Sequence, residues 1–185
     1  MDTAEVVEQF VKRLSFYPYI PFLTEDEMTG LFGQEVIAAL RRLQDFARET
    51  NLCAGCGGKC CGDVKCELYS SRFPACPIHE LRPMACRFHF CPRFGDEHKE
   101  AIIALRDTYL GCFYTFDGMG SITGSHQARC LDTPPLAIFW PEFSELGRRV
   151  IAFMDSGDLT PEEAQQALRH EVLQYRRDHH APSPK

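Results

Sequence analysis

The sequence predicts a mainly α-helical protein in which helices flank an irregular, cysteine-rich segment. Three observations lead there. Apolar residues recur at helical spacing through both flanks. Two Thr-x-x-Glu capping boxes mark helix starts. Between the flanks, residues 53–93 hold four glycines and four prolines and sustain neither a helical nor a strand period. The 185 residues, 44% hydrophobic and 25% charged, suit a single domain with its own core. Residues 1–52 form its N-terminal helices, 53–93 the cysteine segment and 94–185 its C-terminal helices.

The elements follow in order. Residues 4–14 read as a short amphipathic helix with Val6, Val7, Phe10, Val11 and Leu14 on one stripe. Tyr17-Pro18-Tyr19-Ile20-Pro21 ends it. Thr24 and Glu27 have capping-box spacing, opening a helix or helix pair that runs to about Thr50 with a break near Gly30 or Gly33. Val36, Ile37, Leu40, Leu43 and Phe46 share its inner face. A further helix spans about 96–110, through Ile102, Ile103, Leu105 and Tyr109. Asp117-Gly118-Met119-Gly120-Ser121 reads as a turn-rich loop with no clear strand before it. Pro141 opens a helix with Phe143, Leu146, Val150, Ile151 and Phe153 inward, stopping at Ser156-Gly157. In the last helix Thr160 is the N-cap, Pro161 takes the first helical position and Glu163 closes a second capping box. It runs towards Asp178, and Pro182 and Pro184 leave a frayed tail.

Cysteine is the anomaly in this composition. The chain has ten, and eight of them (Cys53, Cys56, Cys60, Cys61, Cys66, Cys76, Cys86 and Cys91) lie in the irregular segment. The acidic start, Met1 to Glu5, lacks the basic and apolar regions of an export signal, so a reducing, cytoplasmic setting is expected. There, dense cysteines point to metal before disulfides. Cys53-Ala54-Gly55-Cys56 is a C-x-x-C pair that brings two thiolates onto one ion, and Gly55, Gly57 and Gly58 permit the tight turns that aim amides at sulfur. Cys60 and Cys61 are adjacent, so their side chains diverge, which leaves one of them free to face a different centre. Cys76-Pro77 and Cys91-Pro92 match the Cys-Pro steps of ferredoxin-type runs. Together with the single C-x-x-C pair they tilt the reading towards an iron–sulfur cluster, [4Fe-4S] first, and away from zinc, whose ribbons carry two such pairs. All eight clustered cysteines are candidate ligands. Cys112 and Cys130 read as small apolar residues. His79 and His89 are able to complete a site of three thiolates and one imidazole, but eight thiols already suffice.

Charge supplies a second argument. The chain carries a net −6, against general phosphate neutralisation of a nucleic acid. Residues 53–93 run the other way, with Lys59, Lys65, Arg72, Arg82, Arg87 and Arg93 against Asp63, Glu67 and Glu80. Cations lower thiol pKa and offset the negative charge of a metal–thiolate centre. Arg82 and Arg87, which bracket Cys86, are the candidates for that role; the plain alternative is a solvated basic face. No apolar run is long enough for a membrane helix.

These residues resemble a known family. Cys53-x-x-Cys56-x-x-x-Cys60-Cys61, then Cys66-Glu67-Leu68, then Cys76-Pro77-Ile78-His79-Glu80-Leu81-Arg82-Pro83-Met84-Ala85-Cys86-Arg87-Phe88-His89-Phe90-Cys91 is similar to the YkgJ-type zinc- or iron-chelating domain. Cys76, Ile78, Arg82, Pro83, Cys86, Arg87 and Cys91 fall where that pattern wants them. One extra residue separates Cys56 from Cys60-Cys61, and His79 and His89 stand where tyrosine and phenylalanine are usual. The resemblance covers about forty residues. It implies a metal-binding protein; an electron-transfer, accessory or structural role is expected, with a protein partner left open, while charge and hydropathy speak against nucleic acid and membrane. Relatives that methylate flagellin lysines look similar in their cysteine cluster, so a metal-containing protein lysine methyltransferase is the alternative. The glycine-rich run Asp117–Ser125 is the one stretch that offers itself as a methyl-donor loop, and a plain turn is the preferred reading of it. Residues 53–93 also read as poor in apolar anchors, so metal is expected to offset most of their ordering entropy.

Overall fold

A computed structural model describes residues 3–14, 22–53, 55, 66–125 and 140–179. It is mainly helical, with seven α-helices among the described residues and one small hairpin. They are α1 (Thr3–Arg13), α2 (Glu25–Phe32), α3 (Gln34–Glu49), α4 (Met84–Arg87), α5 (Lys99–Phe113), α6 (Pro141–Ser156) and α7 (Pro161–His179).

Both capping boxes form. The Glu27 amide donates to Thr24 Oγ1 at 3.2 Å and the Thr24 amide to Glu27 Oε2 at 2.6 Å. At α7 the Glu163 amide donates to Thr160 Oγ1 at 3.2 Å and the Thr160 amide to Glu163 Oε2 at 2.8 Å. The break between α2 and α3 falls at Gly33, whose φ of 83° is open to glycine and costly for other residues. Gly157, at φ 90°, ends α6 in the left-handed conformation.

Two details of helix phase differ from expectation. Val11 is 41% exposed while Phe10 is fully buried, because the inward face of α1 is narrower than the apolar run. In α6 Phe153 is 52% exposed and Met154 is fully buried. At about 100° per residue, Met154 lies about 20° from the direction of Phe143, whereas Phe153 lies about 80° away. The fifth helix starts later and runs further than expected, through the buried Leu105, Tyr109, Cys112 and Phe113. Ile103 stays on its exposed side.

A strand does precede the glycine-rich loop. β1 (Tyr114–Phe116) pairs antiparallel with β2 (Ile122–Ser125), Tyr114 opposite Ser125 and Phe116 opposite Ile122. Asp117 Oδ1 accepts from the Met119 and Ser121 amides at 2.9 and 2.8 Å and closes the turn. Strands of three and four residues are too short for alternation to reveal them.

The apolar residues form two cores. In the first, α1, α2, α3 and α5 meet: Phe10 packs on Phe113 at 4.8 Å and Phe88 on Tyr109 at 4.8 Å between ring centroids. In the second, α6 and α7 pack with Phe22 and Trp140, and Trp140 stacks on Phe143 at 4.3 Å. The described part of the cysteine segment enters both. Leu68, Phe73 and Ile78 are buried in the second core, and Met84, Ala85 and Phe88 in the first. This corrects the expectation that the segment lacks apolar anchors. They are spaced irregularly along turns, bends and the short helix α4, so no period exposes them.

Candidate metal centre

The cysteine segment is locally ordered by turns that its own thiol-bearing residues open. The carbonyl of Cys66 accepts from the Tyr69 amide at 3.0 Å, that of Cys76 from His79 at 3.1 Å, and that of Cys91 from Phe94 at 3.3 Å. Proline follows Cys76 and Cys91, and its preset φ favours such turns. Cys86 lies in α4, its amide bonded to Pro83 at 3.0 Å. Cys53 is exposed in the turn after α3, next to Asn51, whose φ is 55°.

The thiols differ sharply in setting. Cys66, Cys76, Cys86 and Cys91 are half-buried. Cys66 and Cys76 pack on the second core and Cys91 on the first. Cys112 is fully buried in the first core, and burial pushes its thiol up to about 12. A thiol so placed neither ionises nor reaches solvent, so it behaves as a small apolar side chain. Cys56, Cys60, Cys61 and Cys130 lie outside the described residues. Among the described residues no three His, Cys, Asp or Glu side chains converge as a group able to hold an ion.

Arg87 organises the electrostatics. The chain crosses from the second core to the first between Ile78 and Met84, and Arg87 ties that crossover down. Its Nε donates to the Arg82 carbonyl at 3.3 Å, and its Nη2 donates to the Glu80 carbonyl and to Leu23 O, the latter at 3.3 Å. Burial, then the nearby charges of Arg82 and Arg176, lower its pKa to about 10. Glu80 and Cys86 act in the opposite sense. Among the described residues no carboxylate lies within ion-pair distance of Arg87. Glu80 is already committed, its Oε2 lying 2.5 Å from Arg169 Nη1. Arg82 donates from Nε to the His79 carbonyl at 2.8 Å.

His79 is half-buried. Burial, followed by the charge of Arg82, lowers its pKa to about 4, so it is neutral near pH 7. The 4.0 Å approach of its Nδ1 to Glu80 is therefore not an ion pair under those conditions. His89 is exposed. A cleft of about 10 Å³ beside Arg87, walled by α2 and α3, has room for a single water.

Sequence reasoning missed the long-range ion pairs. Glu27 was legible as a helix cap, but its Oε2 also lies 3.0 Å from Arg176 Nη2, and both side chains are largely buried. Nothing local in the sequence connects residues on α2 and α7. The glycine-rich run Asp117–Ser125 folds as a hairpin turn and its outgoing strand; among the described residues no helix opens at its glycines to receive a phosphate. No helix among the described residues is long and apolar enough to cross a membrane. Comparison with family models, curated proteins and solved structures returns no match.

Proposed function

We propose that residues 53–93 hold a metal centre through their clustered cysteines, an iron–sulfur cluster ahead of zinc, and that the protein serves as an electron-transfer, accessory or structural metal protein related to the YkgJ-type domain. The observation that carries this reading is Arg87. A half-buried guanidinium favours a counter-charge close by. Its hydrogen bonds go to neutral carbonyls, and the Glu80 carboxylate already serves Arg169. Cys86, the candidate ligand directly before it in α4, would supply that charge as a metal-bound thiolate. Thiolates ligated to metal stay ionised at neutral pH, which a free thiol does not. The donor set is rich in sulfur and suits iron–sulfur clusters or zinc over harder ions.

Cys53, Cys56, Cys60, Cys61, Cys66, Cys76, Cys86 and Cys91 would be the ligands, with Arg82 and Arg87 as their cationic neighbours. An iron–sulfur cluster would supply one-electron chemistry; zinc would supply structure. A reducing compartment suits both, and a protein partner would be the electron donor, acceptor or client. Purification without oxygen followed by metal analysis tests the reading. Iron with acid-labile sulfide, brown colour and broad visible absorbance is expected. Colourless protein with bound zinc moves the centre to a structural role, and protein that takes up neither metal overturns the proposal.

A further inference from the structure

The cleft beside Arg87 gathers charge that its own residues leave unbalanced. Met28 of α2 and Ile37 and Leu40 of α3 give it apolar walls, and Glu25, Arg41, Gln44 and Arg87 supply its polar groups. The three apolar residues are buried in the first core, so packing fixes the walls. Glu25 pairs with Arg41. Arg87 commits Nε and Nη2 to the carbonyls of Arg82, Leu23 and Glu80, and its Nη1 donates to none of the described residues. Nor is Nη1 sealed in: among the described residues, the buried side-chain nitrogens without a partner belong to His98 and Arg176. The Gln44 amide likewise has no hydrogen-bond partner among the described residues. Two guanidiniums against one carboxylate leave the cleft with one positive charge in excess.

We propose that this cleft binds one small monovalent anion of the halide class, held by Arg87 Nη1, the Gln44 amide and Arg41. Volume decides the size. A space of about 10 Å³ admits one particle close to a water molecule in size, which excludes phosphate, sulfate and carboxylate ligands. Charge decides the sign. One monovalent anion brings the cleft to neutrality, whereas a water molecule leaves the excess charge standing beside apolar walls, where screening is poor. Chloride is slightly larger than water, and the exposed Arg41 side chain is free to yield and admit it. The donors suit it too, since guanidinium and amide N–H groups are what a halide accepts from. The site does not rest on the metal-centre reading. A guanidinium carries several N–H donors, and the anion takes those at Nη1, which leaves the rest of the group where it is. An anion there ties α2 and α3 to the chain that crosses between the cores, so occupancy stabilises the folded state by mass action.

Thermal melts of the full chain, purified without oxygen, test the site. Sodium chloride replaces sodium gluconate at constant ionic strength, so screening stays the same and only the size of the anion changes. A saturating rise in Tm of about 2–4 °C by about 200 mM chloride is expected, with bromide equivalent to chloride. Two variants locate the response. Gln44→Glu places a carboxylate in the cleft that neutralises the excess charge itself. Arg41→Gln, at an exposed position, removes one of the two guanidiniums and leaves Glu25 to balance Arg87. Each should raise the half-saturating chloride concentration by at least about tenfold. Both leave the carbonyl bonds of Arg87 in place, so both should fold. In crystals grown with bromide, an anomalous scattering peak should lie within hydrogen-bond distance of Arg87 Nη1. A Tm that stays constant as chloride replaces gluconate overturns the site. A saturating response that either variant leaves unchanged also overturns it, because the anion would then bind elsewhere. Metal content is read separately, so protein that takes up no metal and still shows the chloride response loses the metal centre and keeps this site.

Discussion

Cys112 and Arg87 show how far a residue's meaning depends on what surrounds it. Cys112 carries the same thiol as Cys86, yet it is fully buried among Phe113, Tyr109 and Leu105, and desolvation alone pushes it up to about 12. It should resist iodoacetamide in the folded protein and react only on unfolding, which mass spectrometry of alkylated peptides would check. Replacing Cys112 and Cys130 together by alanine should leave metal content unchanged; loss of metal in that variant would remove them from the core-packing class. Arg87 is the opposite case, a charge held by three carbonyls. Arg87→Met should cost roughly 2–4 kcal/mol, because hydrogen bonds to a charged group are worth more than neutral ones and three acceptors lose their donor. Arg87→Lys should recover only part of this, since an ammonium lacks the planar fork. Thermal melts of the metal-loaded variants give these numbers. A Met variant as stable as wild type would mean that the guanidinium is dispensable.

At the scale of the element, the α2 start is where local and long-range effects meet. Burial pushes the Glu27 carboxyl up, but the Thr24 amide and the Arg176 guanidinium outweigh it, and the pKa ends below its ordinary value. A carboxylate so lowered contributes stability that is fully present above about pH 4.5 and is lost as pH falls through the folded-state pKa. Wild-type stability should therefore drop below about pH 4.5, and Glu27→Gln should flatten that part of the curve. At neutral pH Glu27→Gln should destabilise by about 3 kcal/mol, because it leaves Arg176 buried without its counter-charge. Arg176 Nη1 already has no hydrogen-bond partner among the described residues, so the guanidinium has little to fall back on. Denaturant melts between pH 3 and 8 would check both statements; parallel curves for the two proteins would show that Glu27 acts only as a cap.

For the whole molecule, the cysteine segment is a structural member of both cores as well as a string of ligands. Leu68→Ala should destabilise by roughly 2–5 kcal/mol, the range for emptying a fully packed leucine site, even in metal-loaded protein. A loop held only by metal would lose almost nothing. Chelation should raise proteolysis within residues 53–93 before the helices of the first core, and helical circular dichroism should fall only in part. Equal protection with and without metal would show that packing alone orders the segment.

Much of this molecule was legible from residues near one another in the chain. The capping boxes at Thr24 and Thr160, the breaks at Gly33 and Gly157, the inner face of α3 and, Phe153 aside, that of α6 are local signals, set by backbone hydrogen bonding and helical period. The cysteine spacing is local too, and it carried the expectation of metal. The short hairpin escaped because three and four residues cannot display a period. Tertiary structure alone decided the division into two cores, the burial of Leu68, Phe73 and Ile78 in one and of Met84, Ala85 and Phe88 in the other, and the Glu27–Arg176 and Glu80–Arg169 ties. Those depend on which irregular loops come to lie beside which helices. That placement is chosen by the total apolar surface removed from water, a sum over the entire chain that no window of sequence contains.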